Sequence, residues 1–370
     1  EQGLGLRLIN GENTAYASTN DLGYENLLAI AEKTAAAVCG DSAEKELDFN
    51  YPLAKQSAAA IRPETIDLEQ KIAQVKAADQ AALNTDENIV RTAVSYSDIT
   101  QNVLIASTTG RVVRDERIRT RISVNAIAKE NDLVQTGFAS LGGTVGYEIL
   151  DDDAAAKVGA NAAGRAASLL KAKPCPGGKM PVVLASAAGG TMVHEACGHG
   201  LEGDLVDKGM SAYAGKLGQK VADKKITVVD DATLEGRYGS YAYDDEGYAG
   251  RRNVLIENGI LTNYMYDYYT AKKVGAFSTA NGRRESYRHK PVVRMSNTMI
   301  LPGEDEAEDI INSVEKGLLV TKMGGGQVNT LCGDYVFDVA EGYLIIDGEI
   351  AYQVRGATLA GNGPDSLNDV

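Results

Sequence analysis

The chain has 370 residues, 44% of them hydrophobic, and a formal charge of −14. That size supports one or two sizeable cores, and so acidic a surface repels phosphate backbones and argues against general nucleic-acid binding. Forty glycines against eight prolines point to many turns between short elements, and Cys39, Cys175, Cys197 and Cys332 stand too far apart for a CxxC pair or a disulfide framework.

The first element expected is a β-hairpin. Leu4, Leu6 and Leu8 alternate, Asn10-Gly11 turns the chain and Thr14-Ala15-Tyr16 returns. An Ala-rich helix follows from Tyr24 to Val38, opened by Asn20-Asp21, striped by Leu27, Leu28, Ile30 and Ala31, and ended by Cys39-Gly40. A polar loop leads to about Arg62, where Pro63-Glu64 opens a second helix reaching about Leu83. From Ile89 to Ile149 the pattern has period two. Strands are expected at Val90 to Ser97, Asn102 to Ser107, Arg111 to Arg114 and Thr120 to Lys129, joined as an antiparallel meander with turns at Thr109-Gly110 and Asn131-Asp132. Asp151 to Ala172 reads as a third helix with small residues on one face, and Pro174-Cys175-Pro176-Gly177-Gly178 as a domain boundary.

Beyond that boundary strands are expected at Met180 to Ala185, Ile226 to Asp230, Arg252 to Glu257, Leu261 to Tyr266, Val292 to Met299 and Tyr335 to Ile346. Asn258-Gly259 and Asp347-Gly348 read as hairpin turns, and Asp305 to Val314 as a helix. The fold class is therefore α+β. An N-terminal antiparallel sheet with helices is expected over residues 1–175, and a mainly antiparallel β domain over 176–370 that carries a short helix with the chain's histidine pair. No apolar run is long enough to span a bilayer, so no membrane partner is expected. No secretory leader is visible from Glu1 onward, and the cysteines read as free thiols, so a cytoplasmic location is expected.

Two of the three histidines fall in Thr191-Met192-Val193-His194-Glu195-Ala196-Cys197-Gly198-His199-Gly200. The spacing is HExxxH, one residue longer than the HExxH in which two histidines share a helical face and the glutamate polarises a metal-bound water. On a regular α-helix five residues place the two side chains roughly 140° apart, too far to meet one ion. Either a π turn closes i to i+5, or the helix unwinds at Gly198, which has a second glycine, Gly200, on the far side of His199. An irregularity at Gly198 is expected. The alternative is two ordinary histidines on a capping turn. A catalytic zinc needs a third protein ligand, for which His289, Cys332, Glu202 and Asp204 are the candidates. Cys197 reads as a buried small thiol and Cys332 as a structural one.

The motif does not stand alone. Val193 to Asp204 (VHEACGHGLEGD), Asp230 to Leu234 with Asp244 to Gly247, Asn281 to Tyr287 with Met295 to Thr298, and Gly324 to Val328 with Cys332 to Phe337 and Glu341 to Ile345 together resemble the TldD/PmbA family of peptidases, as does the early Gly3 to Arg7 hairpin. The resemblance implies a TldD-type, HExxxH-bearing subunit, with His194 and His199 as zinc ligands and Glu195 as the catalytic residue. It implies an active site in a cleft between subunits, unfolded peptides as substrates, and a dimer with a second copy or a PmbA-type paralogue. The family's third zinc ligand is a Cys in a Cys-Gly-Lys stretch near the C-terminus, and no such stretch is present before Val370, so an N-terminal and a C-terminal segment are expected to be missing from this chain.

The activity expected is that of a zinc-dependent endopeptidase, with Glu195 as general base for a metal-activated water. Arg283 and Arg284 are candidate substrate-binding residues, with surface ion pairing as the other reading. Asp244-Asp245-Glu246-Gly247 reads as a solvated loop, and Tyr264 to Tyr269 as strand packing. Two other functions compete: a non-catalytic regulatory or scaffold subunit of a peptidase complex, which intact His194, Glu195 and His199 disfavour, and a nucleic-acid-associated regulator, which the charge disfavours.

Overall fold

The computed structural model describes residues 1–38 and 59–370. The helix end expected at Cys39-Gly40 and most of the polar loop before Arg62 lie outside the described residues. Strands β1 (Leu4–Asn10) and β2 (Asn13–Thr19) pair antiparallel around Asn10-Gly11 as expected. Helix α1 (Tyr24–Ala36) follows, with Asp21 Oδ1 accepting the Gly23 N–H at 2.9 Å.

The second helix begins later than expected. Pro63–Thr65 forms only a 3-10 turn, and α2 (Leu68–Leu83) starts after Asp67, whose carboxylate accepts the Gln70 N–H at 2.8 Å. Asp67 satisfies a first-turn donor, which fixes the start there.

Strands β3 (Ile89–Ala106), β4 (Val112–Glu130) and β5 (Leu133–Gly143) form the expected meander, but two pairs of predicted strands are each one long strand. The apparent breaks are charged, not turn-forming, and the charges are paired in place. Lys71 Nζ lies 2.7 Å from Asp98, and Arg117 lies 2.8 Å from Asp115 and 2.7 Å from Asp245. Helix α3 (Ala154–Lys171) lays Ala155, Ala162, Ala163 and Ala166 on this sheet beside Ala78 and Ala82 of α2.

The rest of the chain runs β6 (Lys173–Pro174), β7 (Val182–Leu184), α4 (Ser186–Val193), α5 (Gly203–Asp207), β8 (Val228–Asp231), β9 (Arg252–Glu257), β10 (Ile260–Leu261), α6 (Tyr268–Lys273), β11 (Gly282–Arg283), β12 (Val292–Val293), β13 (Thr298–Ile300), α7 (Ala307–Asn312), β14 (Lys316–Asn329), β15 (Asp334–Ile346), β16 (Glu349–Arg355), β17 (Thr358–Asn362) and α8 (Gly363–Asn368). One sheet has the order β6-β16-β15-β14-β7, with β17 also on β15, and a second has the order β10-β9-β8-β13. Pairing is mostly antiparallel, but β7 joins β14 and β6 joins β16 in parallel. The glycines Gly324 to Gly326 sit inside β14, which the sequence pattern did not show. The ladder shifts register there, and a side chain on Gly326 would run into the Phe337 ring.

Several expected strands are shorter in the structure, and two of them are cut by bonds to other segments. Leu261 to Tyr266 keeps only its first residue in β10, because Met265 bonds instead to the motif loop: its N–H donates to Leu201 O at 2.9 Å and its carbonyl accepts from Gly203 at 2.8 Å. Val292 to Met299 splits into β12 and β13, because Ser296 and Asn297 turn inward to bond Asp230 and Asp231. A core containing Val193, Leu201, Leu255, Ile256, Met265 and Phe337 packs α4 and the motif against these elements. Among the described residues no helix is long and apolar enough to cross a membrane.

Candidate metal centre

Strand β7 delivers the chain to α4, whose buried Ala188, Met192 and Val193 anchor it in the core. The helix then changes pitch. His194–Gly198 is a π turn and His199–Leu201 a 3-10 turn, and the His199 N–H bonds to the His194 carbonyl. Of the two ways to bring an i, i+5 pair together, the chain uses the π turn. Gly198 itself is helical (φ −52°, ψ −57°), so the irregularity expected at that residue is the change from π to 3-10 turn and not an unwound backbone. Glycine has a different use there: a Cβ would lie 2.3 Å from Met295 Sδ and would displace that side chain.

The result is that the rings of His194 and His199 meet edge to face with centroids 4.8 Å apart. The donor atoms of His194, Glu195 and His199 all lie within 4.8 Å of one another, and they form a group able to hold a metal ion. Glu195 Oε2 is 3.9 Å from His199 Nε2. Burial and the neighbouring His199 push the His194 pKa down, which favours the neutral imidazole that metals require.

His199 is held from behind. Its Nδ1 lies 3.2 Å from Glu202 Oε1, and Arg294 donates to Glu202 Oε2 at 3.0 Å. That carboxylate assigns the proton to Nδ1 and leaves the Nε2 lone pair facing Glu195 and His194. The same contact, opposed by burial, raises the His199 pKa. Neutral nitrogen donors with a carboxylate beside them, one ring oriented by an outer carboxylate, fit a borderline-soft divalent cation.

The four candidate third ligands fall elsewhere. Glu202 orients His199 and does not join the donor group, and Cys332 is exposed, bonded to Asp334 Oδ2 at 3.2 Å. Asp204 is half-buried outside the donor group and ion-paired with Lys208 at 3.4 Å. His289 lines the same cleft but bonds Ser286 Oγ at 3.1 Å. Cys197 is fully buried, and burial drives its thiol up to about 12, so it is an inert packing group.

The histidines open on a cleft of about 910 Å³ lined by Arg283, Arg284, Arg294 and Met295 and, from the distant hairpin, Tyr16. The two candidate arginines differ. Arg283 donates to Met295 O at 2.7 Å and stacks over Tyr241, whereas among the described residues the Arg284 side chain has no carboxylate within ion-pair distance. The acidic run behind them is not a solvated loop. Asp244 is buried and accepts N–H bonds from Glu246, Tyr248 and Gly282, and Asp245 accepts from Arg284 N at 2.8 Å. Glu202, spaced i+3 from His199, was legible as a histidine partner from the motif alone. Arg294, Met295 and Tyr16 carry no comparable signal.

A helix-borne His-Glu-His group opening on a peptide-sized cleft defines the class: a metal-dependent hydrolase. Family models for the PmbA/TldA metallopeptidase match domain 1 over residues 1–38, the central domain over 61–170 and the C-terminal domain over 177–370. The chain is similar to the metalloprotease TldD homolog of Haemophilus influenzae (38% identical, covering all of this chain and 78% of the relative). It is similar also to a metalloprotease of Methanocaldococcus jannaschii (36% identical, covering 99% of this chain and 81% of the relative). In fold it resembles the solved structure of a Thermotoga maritima protein described as a candidate modulator of a DNA gyrase (TM-score 0.80, 24% identity, covering 99% of this chain and 82% of that one). The chain belongs to the PmbA/TldA metallopeptidase family, and it is a hydrolase of peptide bonds.

Proposed function

We propose that the protein is a zinc-dependent endopeptidase for unfolded peptides and small proteins, with His194 and His199 as metal ligands and Glu195 as general base. The observation that carries this reading is the π turn, which gathers both imidazoles and the carboxylate within 4.8 Å. Bound zinc supplies Lewis-acid polarisation of the scissile carbonyl and a water acidic enough to ionise near neutrality. Glu195, part-exposed beside His199, takes the proton from the attacking water and returns it to the leaving amine. Glu202 and Arg294 hold His199 in the productive tautomer. An extended peptide gains main-chain hydrogen bonds from strand edges at low cost in sequence preference, which suits an unfolded substrate.

The third protein ligand is proposed, from the family resemblance, to be a cysteine of a Cys-Gly-Lys stretch. A second copy or a PmbA-type paralogue completes the cleft as a dimer, which light scattering on the full protein tests. Cys175, Cys197 and Cys332 are unpaired, which supports a reducing, cytoplasmic location.

The test is Glu195→Ala. It is expected to keep its zinc by metal analysis and to lose about 10²–10⁴ in the rate of unfolded-peptide cleavage. Cleavage at the wild-type rate overturns the mechanism.

A further inference from the structure

The cleft beside the histidines is strongly basic, although the protein as a whole carries a charge of −14. Five permanent cations line it (Arg283, Arg284, Arg288, Lys290 and Arg294) against two carboxylates, Glu202 and Glu285. Most of these charges are committed. Arg294 holds Glu202, Arg288 pairs with Glu1 at 2.8 Å, and Arg283 is bound to the Met295 carbonyl and the Tyr241 face. Glu202 is spent on His199 and Arg294, and Glu285 points into solvent, 3.8 Å from His289. Among the described residues Arg284 and Lys290 are left with no carboxylate partner.

The backbone that carries Arg284 is fixed in place. The Arg284 backbone is pinned by Asp245, the preceding Gly282 N–H donates to the buried Asp244, and Asn281 donates to Asp230 at 2.7 Å. Arg284 also borders a second cavity of about 650 Å³ under the β1 hairpin, so it stands where the two spaces meet. A guanidinium on a pinned backbone with no carboxylate partner, lining the same cleft as an ammonium that also has none, has the chemistry of a carboxylate receptor.

Resting on the peptidase reading above, we propose that the Arg284–Lys290 side of the cleft is a subsite for a substrate carboxylate, which makes the enzyme selective for acidic peptides. The carboxylate is either an Asp or Glu side chain or the peptide's own C-terminus. The surrounding acidity repels such a peptide at long range and the cleft attracts it at contact, so selectivity resides in the bound state and is screened by salt.

The test uses the zinc-loaded Glu195→Gln protein, full chain, so that binding is read without turnover. Fluorescence anisotropy measures Kd for a labelled peptide with two internal Asp residues, its Asn counterpart, and each with a free or an amidated C-terminus. The acidic peptides are expected to bind about tenfold tighter than the neutral amide at low salt. Arg284→Gln and Lys290→Gln, each in the same background, are expected to shrink that ratio severalfold. A preference that follows the Asp residues assigns the subsite to side chains, and one that follows the free terminus assigns it to the C-terminal end; either supports the proposal. Equal Kd for acidic and neutral peptides overturns it, as does a ratio that neither substitution changes. Displacement of the acidic peptide by a single-stranded oligonucleotide at lower concentration than by unlabelled peptide also overturns it, in favour of a nucleic-acid groove. Wild-type cleavage of the neutral peptide, abolished by Glu195→Gln, reports separately on the peptidase reading.

Discussion

Glu202 is almost wholly buried, yet it is charged on two sides: His199 Nδ1 at Oε1 and Arg294 at Oε2. Groups of this kind set the tautomer of a ligand and its basicity, and their loss commonly costs about 10–100-fold in metal affinity. Glu202→Gln keeps the shape and an acceptor but removes the charge. Zinc affinity, measured by chelator competition, is expected to fall about tenfold or more, while the far-ultraviolet spectrum stays unchanged. Unaltered affinity would mean that the 3.2 Å contact does not orient the ring. The motif residues were legible because their chemistry is local: His194, Glu195 and His199 announce themselves by spacing. The choice between a π turn and an unwound glycine was not, because the spacing and the flanking glycines allow both.

At the level of elements, the β1–β2 hairpin reaches the catalytic half of the molecule through side chains that no local pattern marks. Tyr16 donates to the Tyr287 carbonyl at 2.6 Å, and Arg7 contacts Glu246 at 3.1 Å and Asp267 at 3.7 Å. Arg7 is the cation between two buried carboxylates. Arg7→Leu preserves much of its packing and leaves both acids without it, a loss on the order of 3 kcal/mol. Chemical denaturation is expected to show that loss, and limited proteolysis to cut within residues 1–38 first. A variant as stable as the parent would show that the hairpin is held by Tyr16 and apolar contacts alone. The hairpin, the meander and the small-residue face of α3 were readable from alternation, turn residues and helical stripes. Strand β14 and the parallel addition β6 were not, nor was the parallel pairing of the expected strand β7 with β14. Their residues break the pattern with glycine, or are too few to show one, and long-range pairing supplies what local propensity lacks.

Across the whole molecule, buried acid is concentrated where three segments meet: the hairpin, the Asp244–Glu246 run and the start of α6. Burial, with Asp267 and Asp244 close by, raises the Glu246 pKa to about 8 against Arg7's opposing pull, and burial raises Asp244 to about 7. An unfolded glutamate ionises near 4.5, so between about pH 4.5 and 8 the folded protein holds a proton that the unfolded chain has lost. Stability from this group is therefore fully present below the unfolded value and declines as pH rises through that window. Depression of the His194 pKa works in the opposite sense near pH 6.5, so the total curve mixes the two. Glu246→Gln isolates the acid, since an amide does not titrate and its single carbonyl oxygen can still accept from either Arg7 or the Tyr268 N–H, though not from both. Urea midpoints at pH 5, 6.5 and 8 are expected to fall less steeply in the variant than in the parent, with the variant gaining relative to the parent toward pH 8. Parallel curves for the two proteins would mean that Glu246 is ionised throughout and that Arg7 fully compensates its burial.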